Sequence, residues 1–326
     1  MTTPFPLLRL PRLVLISVFK HMEQVEVISF SLLSKRANNL SKILRKISPC
    51  YLYLEVTSGH LNMSIRFERW NEMGLSLFFY TENVPDLADV MIRNRTFTHK
   101  TRLTASQWLK RILYVTNCES PTEISVDGAP QFDVCNTLAT LTTLPSLYIK
   151  ESCDDSFAKK ALEIFSTVAT EIQLYKIPYK NREEFKIFLK TNLNYLFICI
   201  CQFSRFTFVD LLVTNALKVE LLGVMLSLRD LNQFLTNWFH SKHNSRLEHL
   251  EFCIFEVFDE TCLPEILNAV PFPRNQERTF RYSKQLDTHL KTFSGGYDIE
   301  RADGRKATIT FENKMNTMYT DFYVWP

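Results

Sequence analysis

At 326 residues, with 46 % apolar and 22 % charged positions, the chain has the composition of a folded protein of more than one module, which excludes long disorder. Its net charge is +3 and its Lys and Arg are scattered, so neither nucleic acid nor an anionic membrane is an expected partner. Phe is frequent (26) and Gly scarce (7), which points to a core of regular elements with few glycine turns.

Leu10 to Leu33 is mostly apolar, but Pro11, Lys20, His21 and Gln24 cut it into pieces too short to span a bilayer. Short helices are predicted instead. Leu15, Phe19 and Met22 recur at i, i+4, i+7, and Ala37, Leu40, Leu44 and Ile47 at i, i+3, i+7, i+10, so each helix has one inward face. Val14, Ile16, Val18, Val27 and Phe30 are left over. A unit of roughly 40 residues cannot bury that excess alone, so the rest of the chain or a partner must cover it. The block Leu13 to Phe19 lacks a small-residue cleavage site, and no signal peptide is expected. The Asn-x-Ser/Thr triplets at Asn39, Asn62 and Asn94 then carry no glycosylation meaning.

Leu10-Pro11 opening a helix, an apolar block ending in Val18-Phe19, a second helix after Glu26-Val27, and then Leu33-Ser34-Lys35-Arg36 together resemble an F-box, without a gap. The resemblance implies docking on the Skp adaptor of a cullin-RING ubiquitin ligase. The residues it assigns to that contact are Leu10, Pro11, Val14, Leu15, Val18, Phe19 and Leu33. Glu26 stands where Asp is usual, and Ala37 where the third helix commonly carries Trp, which removes a large packing group.

Ser48-Pro49 stops the third helix. Tyr51 to Val56 and Met63 to Phe67 alternate in polarity around Ser58-Gly59 and are predicted to pair, with Leu75 to Tyr80 a further strand. Residues 81–100 read as mostly irregular, with a short helix at Leu87 to Met91. Thr104 is placed to cap an amphipathic helix to Tyr114, with Trp108, Leu109, Ile112 and Leu113 inward.

Beyond this point short apolar strands recur, beginning at Ile124, Leu147, Ile172, Tyr195, Val219 and Leu247, at intervals of 23, 25, 23, 24 and 28 residues. Helical stretches fall between most of them: Ser156 to Val168, Asn181 to Lys190 and Leu228 to Phe239. One strand and one helix in this period suit a leucine-rich-repeat-like array of parallel strands, although the usual Asn ladder is missing. A doubly wound sheet is the alternative, and neither GxGxxG nor GxxxxGK is present to hold a nucleotide. Leu263 to Val270 is predicted as a helix between prolines. Asp303-Gly304, between the alternating runs 296–301 and 306–311, is a hairpin cue, and Met318 to Trp325 could add a third strand. Leu211 to Phe252 and Ser294 to Ile309 resemble the type-2 F-box-associated domain, which follows F-boxes in a large nematode-expanded group.

Other residues invite chemistry less strongly. The eight cysteines (50, 118, 135, 153, 199, 201, 253 and 262) form no CxxC pair and are expected as reduced, buried thiols, with Cys199 and Cys201 on one face of a strand. His240, His243, His249 and Cys262 lack the two tight ligand pairs usual at zinc; histidines near a helix end more often cap carbonyls, and no metal or cofactor is expected. Glu183 and Glu184 suit a helix first turn. With no GxSxG elbow or activated Cys, the chain is not expected to be an enzyme.

The resulting expectation is an α/β chain: a three-helix F-box at 5–48, a mixed strand/helix region at 49–123, and a repeat-like substrate-binding domain with a C-terminal β-hairpin at 124–326. Its implied role is the substrate receptor of a Skp-cullin-F-box ligase in the cytoplasm or nucleus, holding a protein substrate at residues the sequence leaves unassigned. The alternative is an interaction scaffold whose N-terminal helices cap the array, which requires the apolar stripe to be covered by Tyr51 to Phe79.

Overall fold

The computed structural model describes residues 7–44, 47–67, 70–80, 87–92, 95–100, 103–130, 134–199, 206–242, 244–254, 263–286, 290–314 and 317–326; Cys201, His243 and Cys262 lie outside them. The chain divides into two units, Met1–Leu147 with Ser152–Val168, and Tyr148–Glu151 with Ala169–Pro326.

The first unit opens with a 3-10 turn (Leu7–Arg9) and three helices, α1 (Arg12–His21), α2 (Gln24–Ser31) and α3 (Lys35–Leu44). Strands β1 (Cys50–Val56), β2 (His60–Phe67), β3 (Trp70–Tyr80), β4 (Leu87–Ile92) and β5 (Arg95–Lys100) follow as an antiparallel meander. Then come α4 (Ala105–Thr116), β6 (Glu123–Val126), α5 (Val134–Leu138), β7 (Leu144–Ile149) and α6 (Asp155–Phe165). The strand order is β7-β6-β1-β2-β3-β4-β5, with β6 parallel to β1.

Two local readings are corrected here. Leu87 to Met91, expected as a helix, is strand β4, in register with β3 (Phe78 opposite Asp89) and with β5 (Ile92 opposite Arg95). Pairing on both sides outweighs a weak helical spacing in a β-prone run. In α4 the inward set is Trp108, Leu109, Ile112 and Val115, while Leu113 is only half-buried. Its ends follow local rules: Thr104 and Gln107 cap each other through backbone N–H groups at 3.3 and 3.1 Å, and Asn117 at φ 63° ends the helix in the left-handed region.

The second unit contains β8 (Ala169–Leu174), α7 (Arg182–Leu189), β9 (Leu193–Cys199), α8 (Phe208–Val213), β10 (Ala216–Leu226), α9 (Leu228–Phe239) and β11 (His249–Ile254). Strands β12 (Val270–Phe280), β13 (Lys291–Glu300), β14 (Lys306–Lys314) and β15 (Thr317–Val324) complete it. Strands β8 to β11 are parallel neighbours, and β15 pairs antiparallel with β11, followed outward by β14, β13 and β12. From β6 to β11 a helix stands in the chain between each successive pair of strands, including α5 and α8, which the helical spacing did not reveal because they have only 5 and 6 residues.

The register lines up one buried row, Ile172-Leu196-Val219-Leu250-Phe322, across five strands. Phe234 and Trp238 of α9 meet Phe322 edge-on, at 5.3 and 5.2 Å between ring centroids. Alternate residues point to the other face, where the side chains are polar or aromatic.

Leu263 to Val270 is a helix only as a 3-10 turn, Glu265–Leu267; Asn268 at φ 42° ends it and Val270 already belongs to β12. Pro271 and Pro273 are tolerated there because β12 is an edge strand. Strands β13 and β14 pair antiparallel from Tyr297 opposite Ile309 to Glu300 opposite Lys306. Gly304 takes φ 85° at the reversal between them. Gly296 has φ +125°, and a Cβ there would sit 2.3 Å from the Ile309 carbonyl oxygen, whereas a Cβ at Gly59 would meet nothing. Gly296→Ala should therefore destabilise the protein by more than about 1 kcal/mol. Gly59→Ala should not, and denaturant midpoints of the two variants check this.

Candidate protein-interaction surface

In α1, Leu15 and Phe19 lie one turn apart and face inward, at 4 % and 0 % exposure, with Phe19 edge-on to Phe30 at 5.3 Å. Burying each contributes about 1.5–3 kcal/mol, enough to orient the helix. That orientation leaves Leu13 (82 %) and Val14 (44 %) on the outside, and Leu33 (63 %) is exposed in the turn between α2 and α3. Pro11 is also exposed, and Leu10, Ile16, Val18 and Phe30 are half-buried. Val27, expected among the left-over residues, is fully buried within its own unit. Of the seven residues assigned to adaptor contact, five thus reach the surface at least in part and two face the core.

Helix α2 begins at Gln24, ahead of the Glu26-Val27 step after which it was expected, and the difference gives Glu26 a job. Its Oε2 accepts a hydrogen bond from the Glu23 backbone N at 2.7 Å, capping the helix. Either Asp or Glu can accept such a bond, which is a local reason for an acidic residue at that step. Ser34 caps α3, its Oγ accepting from Ala37 N at 3.1 Å. The buried face of α3 is Ala37, Asn38 and Ser41, with Leu40 and Leu44 only half-buried. It is lined by small and polar groups because it packs against α2 and α4 through hydrogen bonds. Ser41 Oγ donates to Val27 O at 3.3 Å and Asn38 Nδ2 to Arg111 O at 3.2 Å. Arg111 of α4 in turn donates to Leu32 O at 2.9 Å, at the carbonyl end of α2, where a cation is favoured. Helix α4 therefore works as a fourth member of the bundle, 73 positions from its partner in α3.

The second unit carries a polar cluster on the sheet face opposite its helices. His249 of β11 is fully buried, its Nε2 2.8 Å from Asp321 Oδ1 and its Nδ1 3.0 Å from the Tyr282 hydroxyl. Its ring stacks on Tyr323 at 4.7 Å. Burial pushes the His249 pKa down in spite of Asp321, so the ring is neutral, donating from Nε2 and accepting at Nδ1. Burial pushes Asp321 up, but the hydrogen bond from His249 and the Lys291 ammonium outweigh it and hold the carboxyl at about 2. Lys291 Nζ lies 2.6 Å from Asp321 and 3.0 Å from Glu251. His249, Glu251 and Asp321 present ligand atoms within 4.8 Å of one another, a geometry a cation could use, and the Lys291 ammonium already supplies the positive charge there. Nearby, Lys218 pairs with Glu220 at 2.7 Å and lies over the Tyr195 ring, while the Tyr195 hydroxyl donates to Glu220 at 2.6 Å.

From the sequence His249 was legible only as one of several histidines. Its partners Tyr282, Lys291 and Asp321 are up to 72 positions away and come together only through the strand pairing. The usable signal was Glu251, two residues on and so on the same strand face. His240 ends α9 as its C-cap residue, apart from this cluster. Cys135, Cys153 and Cys253 are buried as expected, but Cys50, Cys118 and Cys199 are only half-buried, lying at strand or helix ends. Among the described residues, no helix is long and apolar enough to cross a membrane.

Comparison with known proteins finds two segments similar to known families. A profile for the F-box domain matches residues 7–52, and one for an F-box-associated domain matches residues 184–252. The F-box-associated domain-containing protein sdz-33 of Caenorhabditis elegans is 23 % identical over 98 % of this chain and 97 % of its own length. The uncharacterized protein F59B2.8 of the same organism is 22 % identical over 100 % of this chain and 78 % of its own length. No solved structure matches.

His249 makes stability depend on acid. Unfolding returns the ring to its ordinary value of 6.5, so the unfolded chain takes up the proton first as pH falls. The stability that neutral His249 contributes is present above pH 6.5 and declines below it, by at most about 1.4 kcal/mol per pH unit. Denaturant midpoints measured from pH 7.5 to 5 should show this slope, and a His249→Gln variant should lack it.

Proposed function

For a chain that carries an F-box at residues 7–52 and an F-box-associated domain at 184–252, we propose the role of substrate receptor in a Skp-cullin-F-box ubiquitin ligase. The observation that carries the adaptor half of this reading is the exposure of Leu13 and Val14 on α1 and of Leu33 in the turn after α2, while the inward residues Leu15 and Phe19 are already buried. On this reading Leu10, Pro11, Val14, Val18 and Leu33 touch the Skp-type adaptor. Leu15 and Phe19 act beneath them as positioning residues that hold α1 at the required angle. A standard interface buries about 1,600 Å² in total, and an apolar centre of this kind suits one. Ala37 is buried in the bundle with α4 close by, so the missing Trp bears on internal packing of the helices more than on the docking face.

The second unit then holds a protein substrate near the charged ligase, and acceleration comes from proximity, with no bond-making chemistry in this chain. The succession of strands and helices from β8 to β11 is, on this reading, a degenerate leucine-rich-repeat-type array ending in an antiparallel extension. The scaffold alternative requires the N-terminal stripe to be covered, and the exposure of Leu13, Val14 and Leu33 weighs against it.

Binding of the purified chain to a Skp-type adaptor tests the proposal. Val14→Asp with Leu33→Asp should weaken binding by about thirtyfold or more, since each removes an apolar contact at the centre of the face. Ile187→Asp, at an exposed position of α7, should leave it unchanged. Absence of binding by the natural chain, or equal binding by the double variant, would refute it.

A further inference from the structure

Cys50 and Cys118 stand 68 positions apart in sequence, with their sulfurs 3.9 Å apart. Cys50 is the first residue of β1, and Cys118 follows the left-handed residue Asn117 that ends α4. The two backbones are held side by side just beyond the thiols, where Thr122 N donates to Leu52 O at 2.8 Å and Leu52 N to Thr122 Oγ1 at 3.3 Å. Both thiols are half-buried, in contrast to Cys135, Cys153 and Cys253, which are shut in the interior. A disulfide needs its sulfurs at about 2.05 Å, so closure asks for a movement of about 2 Å between side chains whose backbones are already neighbours.

The surroundings differentiate the two sulfurs. Cys118 is lowered to about 6, first because the Cys50 thiol donates to its thiolate; burial opposes this, and the Thr116 hydroxyl and the Lys42 ammonium assist. Lys42 is fixed nearby, its Nζ 2.6 Å from Asn117 Oδ1. Cys50, giving its proton to that contact and partly buried, is pushed up and stays a thiol. One sulfur is thus prepared to attack and the other to resolve.

We propose that Cys50 and Cys118 form a reversible dithiol switch that is oxidised by hydrogen peroxide. The Cys118 thiolate attacks one peroxide oxygen, the O–O bond breaks, and hydroxide leaves and is protonated to water, giving a sulfenic acid on Cys118. Cys50 then attacks that sulfur and a second water leaves, its oxygen coming from the sulfenic acid and its hydrogens from the sulfenic hydroxyl and the Cys50 thiol. Two thiols and one peroxide become one disulfide and two waters, and a dithiol reductant returns the two electrons. The bond ties the start of β1 to the end of α4, the helix that Asn38 and Arg111 fasten to the N-terminal bundle. It is independent of any adaptor.

The test uses the full chain, first reduced, then exposed to hydrogen peroxide and alkylated, with peptides mapped by mass spectrometry without reduction. The expected result is loss of two thiols per chain as a Cys50–Cys118 link, reversed by dithiothreitol. In the reduced chain Cys118 should alkylate at neutral pH about fourfold faster than an ordinary thiol, its larger thiolate fraction being partly offset by lower nucleophilicity. Cys50→Ser should leave a sulfenic acid on Cys118 that dimedone traps, and Cys118→Ser should protect Cys50. Oxidation that falls first on other cysteines, a Cys118 sulfenic acid that accumulates in the natural chain, or a Cys50 thiol still lost at the same rate in Cys118→Ser would overturn the proposal. The alkylation mapping on the natural chain decides the matter even if a serine variant fails to fold.

Discussion

Strand register is the constraint on which most of this protein rests. In the second unit Ile172, Leu196, Val219, Leu250 and Phe322 occupy one row, and Tyr195, Lys218, His249 and Tyr323 the adjacent one. Because successive side chains leave a strand on opposite faces, the first row, whose Phe322 meets α9, is buried and the second forms the ionic and aromatic face. A slip of one residue in β10 or β11 would put Lys218 or His249 on the apolar side and turn a buried Val219 or Leu250 outward in return. The penalty for burying such groups without partners makes the register specific, and Phe322, edge-on to both Phe234 and Trp238, locks it from the helix side.

The same parity explains the cluster around His249. A buried imidazole is acceptable only if both nitrogens are satisfied, and Asp321 and Tyr282 do that. Asp321 then needs a compensating positive charge, which Lys291 brings from β13. One polar residue turned to the far face of β11 thus recruits groups from β15, β13 and the segment after β12, and fastens the antiparallel extension to the parallel strands.

In the first unit the governing relation is between inward and outward residues of short helices. Leu15 and Phe19 take the inner side of α1, and a 3.6-residue turn then leaves Leu13 and Val14 outside. Helix α4 completes the bundle through Arg111, which closes the carbonyl end of α2, and through the backbone acceptor it offers to Asn38. The three N-terminal helices are therefore held by a helix that begins after five intervening strands. The break at Ser48-Pro49 falls between the first three helices and the fourth that packs on them.

The pattern of apolar residues was enough to indicate helices at the N-terminus and strands alternating with helices beyond residue 123, and motif order was enough to indicate a resemblance to F-box and F-box-associated segments, since these depend on local spacing. Leu228 to Phe239 was legible to the residue because Ser227 and Asp230 cap it and its inward residues recur every three or four positions. The strand at Leu87 to Ile92 was not legible, as its conformation is decided by partners on both sides, nor was the shortness of the turn at Glu265–Leu267, which Asn268 ends by its left-handed backbone. Which apolar residues of the N-terminal helices and their turns stay outside, which lysine neutralises Asp321, and which two of the described cysteines face each other are relations between residues tens of positions apart. Only chain folding sets such distances, because hydrogen bonds, ion pairs and thiol contacts act over a few ångströms in space and carry no trace of their separation along the chain.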